Sequence, residues 1–338
     1  MTTAETRTPA PPPPAGLWSR LPLPPEQAIR GLAVASLVSQ IGIVVTGGAV
    51  RLTGSGLGCP EWPRCTPDSL TATPEMGIHG LVEFGNRTLT FVLGVIAALM
   101  LAAVWRTLQS DRPRRDLLVP SVVLLLGIPA QAVIGGLTVW SGLNPWVVML
   151  HFMCSAALIG VATVMVRRAQ RPRGVEPPRL DSPWLDRLAL ITMASAYLVV
   201  YLGTIVTGSG PHAGDPNSPR TGFDVASVSQ LHAHAVALLV GLTIGLYAAA
   251  RAAGSPGRLV AATSVLFLVE LGQSLVGAVQ YILDLPEVLV GLHMLGAALL
   301  IAAAVDVWLA ARWLPVARSA VAAPTPHPPA VKARGVDT

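Results

Sequence analysis

Four polar side chains at the start of a long apolar segment are the first candidates for chemistry. Residues 78–87 (IHGLVEFGNR) carry His79, Glu83, Asn86 and Arg87. On an α-helix, positions 79, 83 and 86 lie within about 60° of one another, so the polar groups form a stripe. Ionisable groups inside a membrane-length helix are costly, and they indicate a functional site. The alternative is a helix start whose charges lie in headgroup water.

The composition indicates that the chain crosses a membrane several times. Hydrophobic residues make up 52% of the 338 residues and charged residues only 12%, whereas soluble domains carry about 25% charge. The sequence therefore predicts an all-α integral membrane fold with eight transmembrane helices, each able to cross about 30 Å of hydrocarbon. The apolar windows fall at roughly 29–50, 81–105, 117–140, 146–166, 185–206, 229–250, 259–283 and 289–311.

Basic residues orient these helices. Of the 23 Lys and Arg residues, all but Arg51, Arg64, Arg87 and Arg220 fall on the side that holds both tails. Because cytoplasmic loops carry the excess of basic residues, both termini are predicted to be cytoplasmic in a multi-pass protein of the plasma membrane. The net charge of +5 is spread over loops. It forms no patch for nucleic acid, and no nucleic-acid partner is expected.

A repeat divides the chain into two halves of four helices. The tetrapeptide TGSG occurs at residues 53–56 and again at 207–210. A Gln, Gly and His recur later in each half with identical spacing, as Gln131, Gly135 and His151 and as Gln273, Gly277 and His293. Because each half has an even number of helices, the two halves have the same orientation, related by a pseudo-twofold axis along the membrane normal.

Domain boundaries follow from this repeat. The N-terminal half is predicted at 29–166 and the C-terminal half at 185–311, joined by a cytoplasmic linker at 167–184. The tails at 1–28 and 312–338 are rich in Pro and Ala, and they are predicted to be disordered and cytoplasmic.

Five of the seven histidines lie near the outer ends of the even-numbered helices, namely His79, His151, His232, His234 and His293. Imidazoles at matched depth between apolar helices suit a haem held by two histidines. Zinc would require three or four clustered ligands. A proton relay would require more carboxylates in the membrane than Glu83, Glu270 and Asp306. For any single histidine, simple packing is the structural alternative.

The first outer loop contains two cysteines in residues 59–65 (CPEWPRC). It lies on the oxidising side of the membrane, where a disulfide can persist. The sequence predicts a disulfide between Cys59 and Cys65 that closes this loop, and two free thiols are the alternative. Cys154, inside the fourth helix, is predicted to be a small packing residue.

Six motifs in combination resemble the haem A synthase family, the membrane enzymes that convert haem O to haem A for cytochrome oxidase. They are GGAVRLTGSGLGCPEWPRC (47–65), VEFGNR (82–87), a helix 4 stretch ending in LHF (150–152), TGSGPHAGD (207–215), QLHAH (230–234) and GLH (291–293). The motifs run through both halves and leave only the tails uncovered. Each motif is weak alone, and the combination is specific.

The resemblance implies an oxidoreductase with different roles for its two halves. Two histidines of the C-terminal half would hold haem b. The N-terminal half would bind haem O and convert its C8 methyl to a formyl group by two successive hydroxylations and loss of water. The family's catalytic glutamate falls on Glu83, and its cysteine pair on Cys59 and Cys65. Arg87 is expected either to pair with Glu83 or to bind a haem propionate.

The resemblance also implies partners. Haem O is the expected substrate, and a haem O synthase and cytochrome oxidase assembly factors are the expected protein partners, all at the lipid membrane. The oligomeric state stays open.

The chain departs from the family pattern in helix 2. The family's Glu-x-x-His-Arg reads Glu83-Phe84-Gly85-Asn86-Arg87 here, so Asn86 stands where an axial ligand is expected. His79 lies two turns earlier, about 10 Å along the axis, and could replace that ligand only for a haem nearer the outer surface. Otherwise His151 holds the substrate haem alone and leaves an open iron position.

The register is ambiguous in helix 6. The ligand position of the family pattern falls on Ala233, between His232 and His234. Neighbouring helix positions differ by about 100°, so only one of these two histidines can face His293. The sequence favours His232.

Two other functions stay open at this point. A two-haem b-type membrane cytochrome would transfer electrons from quinol to a partner, with no chemistry on the porphyrin. A transporter built from parallel repeats would place polar groups near the midplane, whereas here they cluster at the outer end.

Overall fold

Eight long helices make up most of the molecule. The computed structural model describes residues 22–173, 178, 180, 182–255 and 257–313. The helices are α1 (Glu26–Leu52), α2 (Gly77–Thr107), α3 (Arg115–Trp140), α4 (Pro145–Ala169), α5 (Pro183–Ser209), α6 (Val225–Ala252), α7 (Gly257–Ile282) and α8 (Glu287–Arg312). A short 3-10 turn, Pro74–Met76, precedes α2. All eight helices are long and apolar enough to cross a membrane, which confirms the predicted all-α membrane fold.

Most helices extend past their predicted apolar windows by a few residues. α1 begins at Glu26 and α8 ends at Arg312, inside the segments predicted as tails. α4 continues to Ala169 and α5 begins at Pro183, which shortens the predicted linker at both ends. Acidic side chains in the first turn and basic side chains in the last turn stabilise a helix through its dipole, although such residues lie outside an apolar window. The remaining parts of the predicted tails, 1–21 and 314–338, lie outside the described residues.

The same helix pairs contact each other in both halves. Within α1–α4, each helix contacts the next, and α4 closes back onto α1; α5–α8 repeat this arrangement. The halves meet through α1, α4, α5 and α8. A pseudo-twofold axis along the membrane normal would produce this pattern, and the axis itself and the division into two domains stay predictions.

Charged groups join the helix ends on the side predicted to be cytoplasmic. Asp306 of α8 pairs with Arg167 of α4 and with Arg258 of α7. Arg114, only 2% exposed, pairs with Glu26 at 3.0 Å. These pairs connect helices across and within the halves, so Asp306 has structural partners.

Backbone and side-chain hydrogen bonds join the regions around the two TGSG segments, on the side predicted to be the outer one. Arg51, in the last turn of α1, donates from Nε to the carbonyl oxygen of His212 at 2.5 Å and from Nη2 to that of Thr207 at 3.2 Å. The amide of Gly56 donates to the carbonyl oxygen of Gly214 at 3.0 Å. The outer loops of the halves are therefore tied to each other next to the histidine-bearing helix ends.

Candidate functional site

The loop between α1 and α2 is closed by a disulfide. Cys59 and Cys65 are bonded to each other, and both are fully buried. The predicted disulfide is confirmed, and the alternative of two free thiols is wrong. Cys154 is a free, half-buried cysteine in α4.

Glu83 lies buried beneath this loop, with 5% of its surface exposed. The backbone N–H of Cys59 donates to its Oε2 at 2.6 Å. Arg87, one turn further along α2, donates from Nη2 to its Oε1. A buried carboxylate needs such partners because desolvation of an unpaired charge is costly. The loop and Arg87 therefore fix the position and orientation of the Glu83 carboxylate.

Arg87 connects the same loop to α2. Its Nη1 donates to the carbonyl oxygens of Glu61 and Arg64, and its Nη2 to that of Cys59, each at 3.0 Å. The expected ion pair with Glu83 is present. These contacts do not test binding of a propionate by Arg87, which stays a prediction.

Trp62, at the centre of the loop, covers the outer end of α3. Its ring makes an edge-to-face contact with Trp140 at a centroid distance of 5.5 Å, and Trp140 Nε1 donates to its carbonyl oxygen at 3.2 Å. A Cβ at Gly136 would overlap the Trp62 indole. The next residue back, Gly135, faces His151, so the loop covers the N-terminal half close to that imidazole.

In three of the four helical hairpins, a glycine of the first helix contacts an imidazole of the second. The distances from an ideal glycine Cβ position to Cε1 are 3.4 Å for Gly135–His151, 3.2 Å for Gly203–His232 and 3.3 Å for Gly277–His293. A side chain larger than hydrogen would press on the ring, so these glycines let the imidazole pack closely against the neighbouring helix. Gly135 and Gly277 belong to the sequence repeat, whereas sequence reasoning missed Gly203.

The remaining hairpin, formed by α1 and α2, carries Asn86 in the corresponding place. The Asn86 Nδ2 lies 3.9 Å from an ideal Cβ position on Gly47 of α1. The hydroxyl of Thr46 donates to the Asn86 Oδ1 at 2.7 Å. Sequence reasoning missed Thr46 and Gly47. A search for a glycine facing each candidate position from the preceding helix would have found Gly47.

The contact with Gly203 distinguishes the two candidate ligands of α6. His232 lies half-buried against this glycine, whereas His234 is exposed. The structure thus favours the same residue as the sequence. His79 is exposed at the start of α2, and its Nδ1 shares a hydrogen bond of 2.9 Å with Ser55 Oγ. His79 and Asn86 therefore lie in different surroundings.

The ring orientation of three imidazoles leaves Nε2 as the nitrogen that could bind a haem iron. The Nδ1 of His151, His232 and His293 is buried against the glycine of the neighbouring helix, 3.6 to 3.9 Å from its ideal Cβ position. By contrast, the Nε2 of His212 is bonded to the carbonyl oxygen of Leu285 at 2.9 Å. In the described part of the chain, no three His, Cys, Asp or Glu side chains come together as a metal site. The imidazoles of His151, His232 and His293 are therefore single candidate ligands, a type of site that is typical of haem iron.

The packing around His232 and His293 also fits a large apolar group. No residue is buried in 225–238 of α6, 271–282 of α7 or 287–295 of α8, whereas the opposite parts of these helices contain buried residues. Porphyrins commonly bind between helices of a bundle. The histidine-bearing ends of these helices therefore carry apolar surface that no other described residue covers.

Gln131 supports the backbone around His151. Its Nε2 donates to the carbonyl oxygen of His151 at 3.1 Å and also to Ser155 Oγ. Its counterpart in the repeat, Gln273, lies directly against Gly296 of α8. The repeated glutamines therefore connect the third and fourth helices of each half, close to the histidine.

We expect Gly277→Val to lower the haem content of the C-terminal half. Since a Cβ at this position would already lie 3.3 Å from His293 Cε1, a branched side chain must displace the imidazole. Gly272→Val on the same helix is the matched control, because no heavy atom lies within 4 Å of a Cβ there. Haem per chain in purified protein, from the pyridine haemochrome spectrum, measures the difference. Equal haem content in both variants would contradict the proposed contact.

Comparisons with known proteins agree on one family. The model of the COX15-CtaA family, described as cytochrome oxidase assembly protein, matches residues 30–305. The chain is also similar to proteins named heme A synthase. That of Geobacillus kaustophilus (strain HTA426) is 26% identical over 202 residues, or 57% of this chain and 61% of that protein. That of Bacillus licheniformis is 26% identical over 184 residues, or 53% and 59%.

A third relative named heme A synthase, from Bacillus cereus (strain AH187), is 25% identical over 232 residues, or 66% of this chain and 73% of that protein. The chain spans about three fifths of the length of the first two relatives that it matches. The family match is longer, and it includes the disulfide loop, Glu83 and the four glycine contacts. The protein therefore belongs to the cytochrome oxidase assembly protein family.

Proposed function

We propose that the protein is a haem A synthase, a membrane oxidoreductase that converts the C8 methyl of haem O to a formyl group. Family membership and the names of the relatives support this activity. The observation that carries the proposal is the buried Glu83 carboxylate, fixed beneath the disulfide loop in the half that contains His151. Glu83 precedes Asn86 by three residues, and the residue three positions before His232 in the C-terminal half is Ser229. Only the N-terminal half therefore has a carboxylate at this position.

The C-terminal half would hold haem b. His232 and His293 would hold it, because each imidazole packs against a glycine with Nδ1 turned to that helix and leaves Nε2 for the iron. When bound, this haem supplies reversible one-electron transfer. The polypeptide contributes the two ligands and the apolar surroundings, which exclude water from the group.

The N-terminal half would bind haem O as substrate. His151 would hold it from one side, and Gln131 fixes the backbone on which His151 lies. Glu83 would stabilise positive charge that develops at the methyl carbon, or accept the proton released there. The hydrogen bonds from Cys59 and Arg87 keep the carboxylate in place for either role. Trp62 and the loop around it would restrict access of water from the outer side.

The proposed chemistry would take place on the outer side of the membrane. With both termini in the cytoplasm, as the basic residues predict, the disulfide loop and the imidazoles face the oxidising compartment. A haem O synthase would supply the substrate within the membrane, and factors that assemble cytochrome oxidase would receive the product. These protein partners are proposed from the activity.

Co-expression with a haem O synthase tests the activity directly. Haems extracted from the membranes are identified by mass, with cells that carry only the haem O synthase as the control. We expect haem A, or its hydroxylated precursor, only when this chain is present. Accumulation of haem O alone would overturn the proposal. Two reducible b-type haems in the purified chain without any porphyrin oxidation would instead support an electron-transferring membrane cytochrome.

A further inference from the structure

A carboxamide occupies, in the first hairpin, the place that an imidazole occupies in each of the other three. Asn86 of α2 faces Gly47 of α1 as His232 of α6 faces Gly203 of α5. Imidazole is a common ligand of iron, while a neutral carboxamide is a poor one. A carboxamide is, however, a good hydrogen-bond donor through its two N–H groups. The two halves therefore differ in chemistry at a matched position.

Thr46 orients this carboxamide. Its hydroxyl lies 2.7 Å from the Asn86 Oδ1 and 3.2 Å from the carbonyl oxygen of Ile43. Donation of its single proton at the shorter contact assigns the amide nitrogen to the opposite side of the carboxamide. The residue before Gly203 is Leu202, which cannot make such a bond. Within the described part of the chain, the two N–H groups of the Asn86 Nδ2 have no acceptor. The N-terminal half thus presents an oriented donor where the C-terminal half presents a ligand.

The depth of His79 in the helix, rather than its hydrogen bond, separates it from the position of Asn86. Its side chain is exposed beside the disulfide loop, with Nδ1 hydrogen-bonded to Ser55 Oγ at 2.9 Å, so only Nε2 of a ring near the helix start is left for a ligand. Asn86 lies seven residues further along α2, about 10 Å deeper along the helix axis. Asn86, which lies against Gly47, and His151, which lies against Gly135, are therefore the pair that corresponds to His232 and His293.

We propose that Asn86, oriented by Thr46, donates a hydrogen bond to a small ligand at the coordination position opposite His151 on the substrate haem. The ligand is a molecule of two or three atoms, about the size of dioxygen, and one of its atoms accepts the hydrogen bond from Asn86. This inference rests on the proposed function, since it requires haem O in the N-terminal half. In the C-terminal half, His232 occupies the corresponding position and leaves no site for such a ligand.

Two probes test the proposal on the purified, full-length chain loaded with haem O. The number of carbon monoxide molecules bound by the reduced protein gives the number of open iron positions. The affinity of the oxidised protein for azide measures the contribution of the hydrogen-bond donor. We expect the unmodified chain to bind one carbon monoxide. Asn86→Leu should keep that site and weaken azide binding about 10- to 100-fold, the effect of losing a hydrogen bond to a charged group. Thr46→Val should also weaken azide binding, because the carboxamide loses its orientation.

Reciprocal substitutions provide matched controls. Asn86→His should keep haem O bound but abolish carbon monoxide binding, because an imidazole then fills the position. His232→Asn should create a second carbon monoxide site, in the C-terminal half. The spectrum of the C-terminal haem shows that each Asn86 and Thr46 variant is folded.

The other outcomes are decisive as well. Azide affinity of Asn86→Leu within twofold of the unmodified chain would overturn the role of Asn86. Carbon monoxide binding that appears only in His79→Ala would show that His79 fills the position, which also overturns it. A chain that takes up no haem O at all would overturn the proposed function and this inference together, so the two failures are distinguishable.

Discussion

Glu83→Ala is expected to lower the conversion of haem O by at least about 100-fold, the lower end of the effect of removing a general acid or base. The carboxylate is buried and fixed by Cys59 and Arg87, so its removal deletes the negative charge held at this place. The spectrum of the C-terminal haem should not change, because its proposed ligands lie on α6 and α8. The measurement is the ratio of haem A to haem O in membranes that also contain a haem O synthase.

Two further variants separate charge from anchoring in this experiment. Glu83→Gln keeps an acceptor for the Cys59 N–H and removes the negative charge, so activity should also be lost. Glu75→Gln changes an exposed carboxylate of the same outer region and should leave the ratio unchanged. Full activity of Glu83→Ala would remove Glu83 from the mechanism, and full activity of Glu83→Gln would limit its role to anchoring the loop.

His293→Ala should remove haem b from the C-terminal half. Losing an outer-shell partner of a ligand already costs about 10- to 100-fold in metal affinity, and losing a ligand itself should cost more. The reduced-minus-oxidised spectrum of the purified chain measures this loss. His232→Ala should give the same result, because it removes the second ligand.

His234→Ala is the control for the register of α6. This side chain is exposed, and it lies about 200° around the helix from His232. The haem b spectrum should therefore persist in His234→Ala. Its loss there, together with a normal spectrum in His232→Ala, would show that the ligand is His234. His151→Ala should instead abolish retention of haem O and leave haem b in place.

The sequence determined the number and approximate limits of the helices. Hydrophobicity over about twenty residues is a local sum, and a helix satisfies its own backbone hydrogen bonds, so a membrane-spanning helix needs no information about its neighbours. The ends differed by a few residues because polar first and last turns, such as those with Glu26 and Arg312, are invisible to an apolar window. The sequence motifs also identified the family correctly.

The tertiary structure decided which faces and which partners the candidate residues have. Spacing alone left His232 and His234 open, and the contact with Gly203 on another helix distinguishes them. Likewise, the sequence offered Arg87 an ion pair or a propionate, and the structure shows that it joins Glu83 to the carbonyl oxygens of the disulfide loop. Such outcomes depend on how helices rotate against each other, which a single helix cannot specify.

Asn86 shows both contributions at one residue. The sequence alone marks it as a departure, because a carboxamide stands where the family pattern has an imidazole. Only the tertiary structure supplies Thr46 as its hydrogen-bond donor and Gly47 as its neighbour. The physical reason is that residue type follows from the chain, whereas the orientation of a side chain follows from what packs against it.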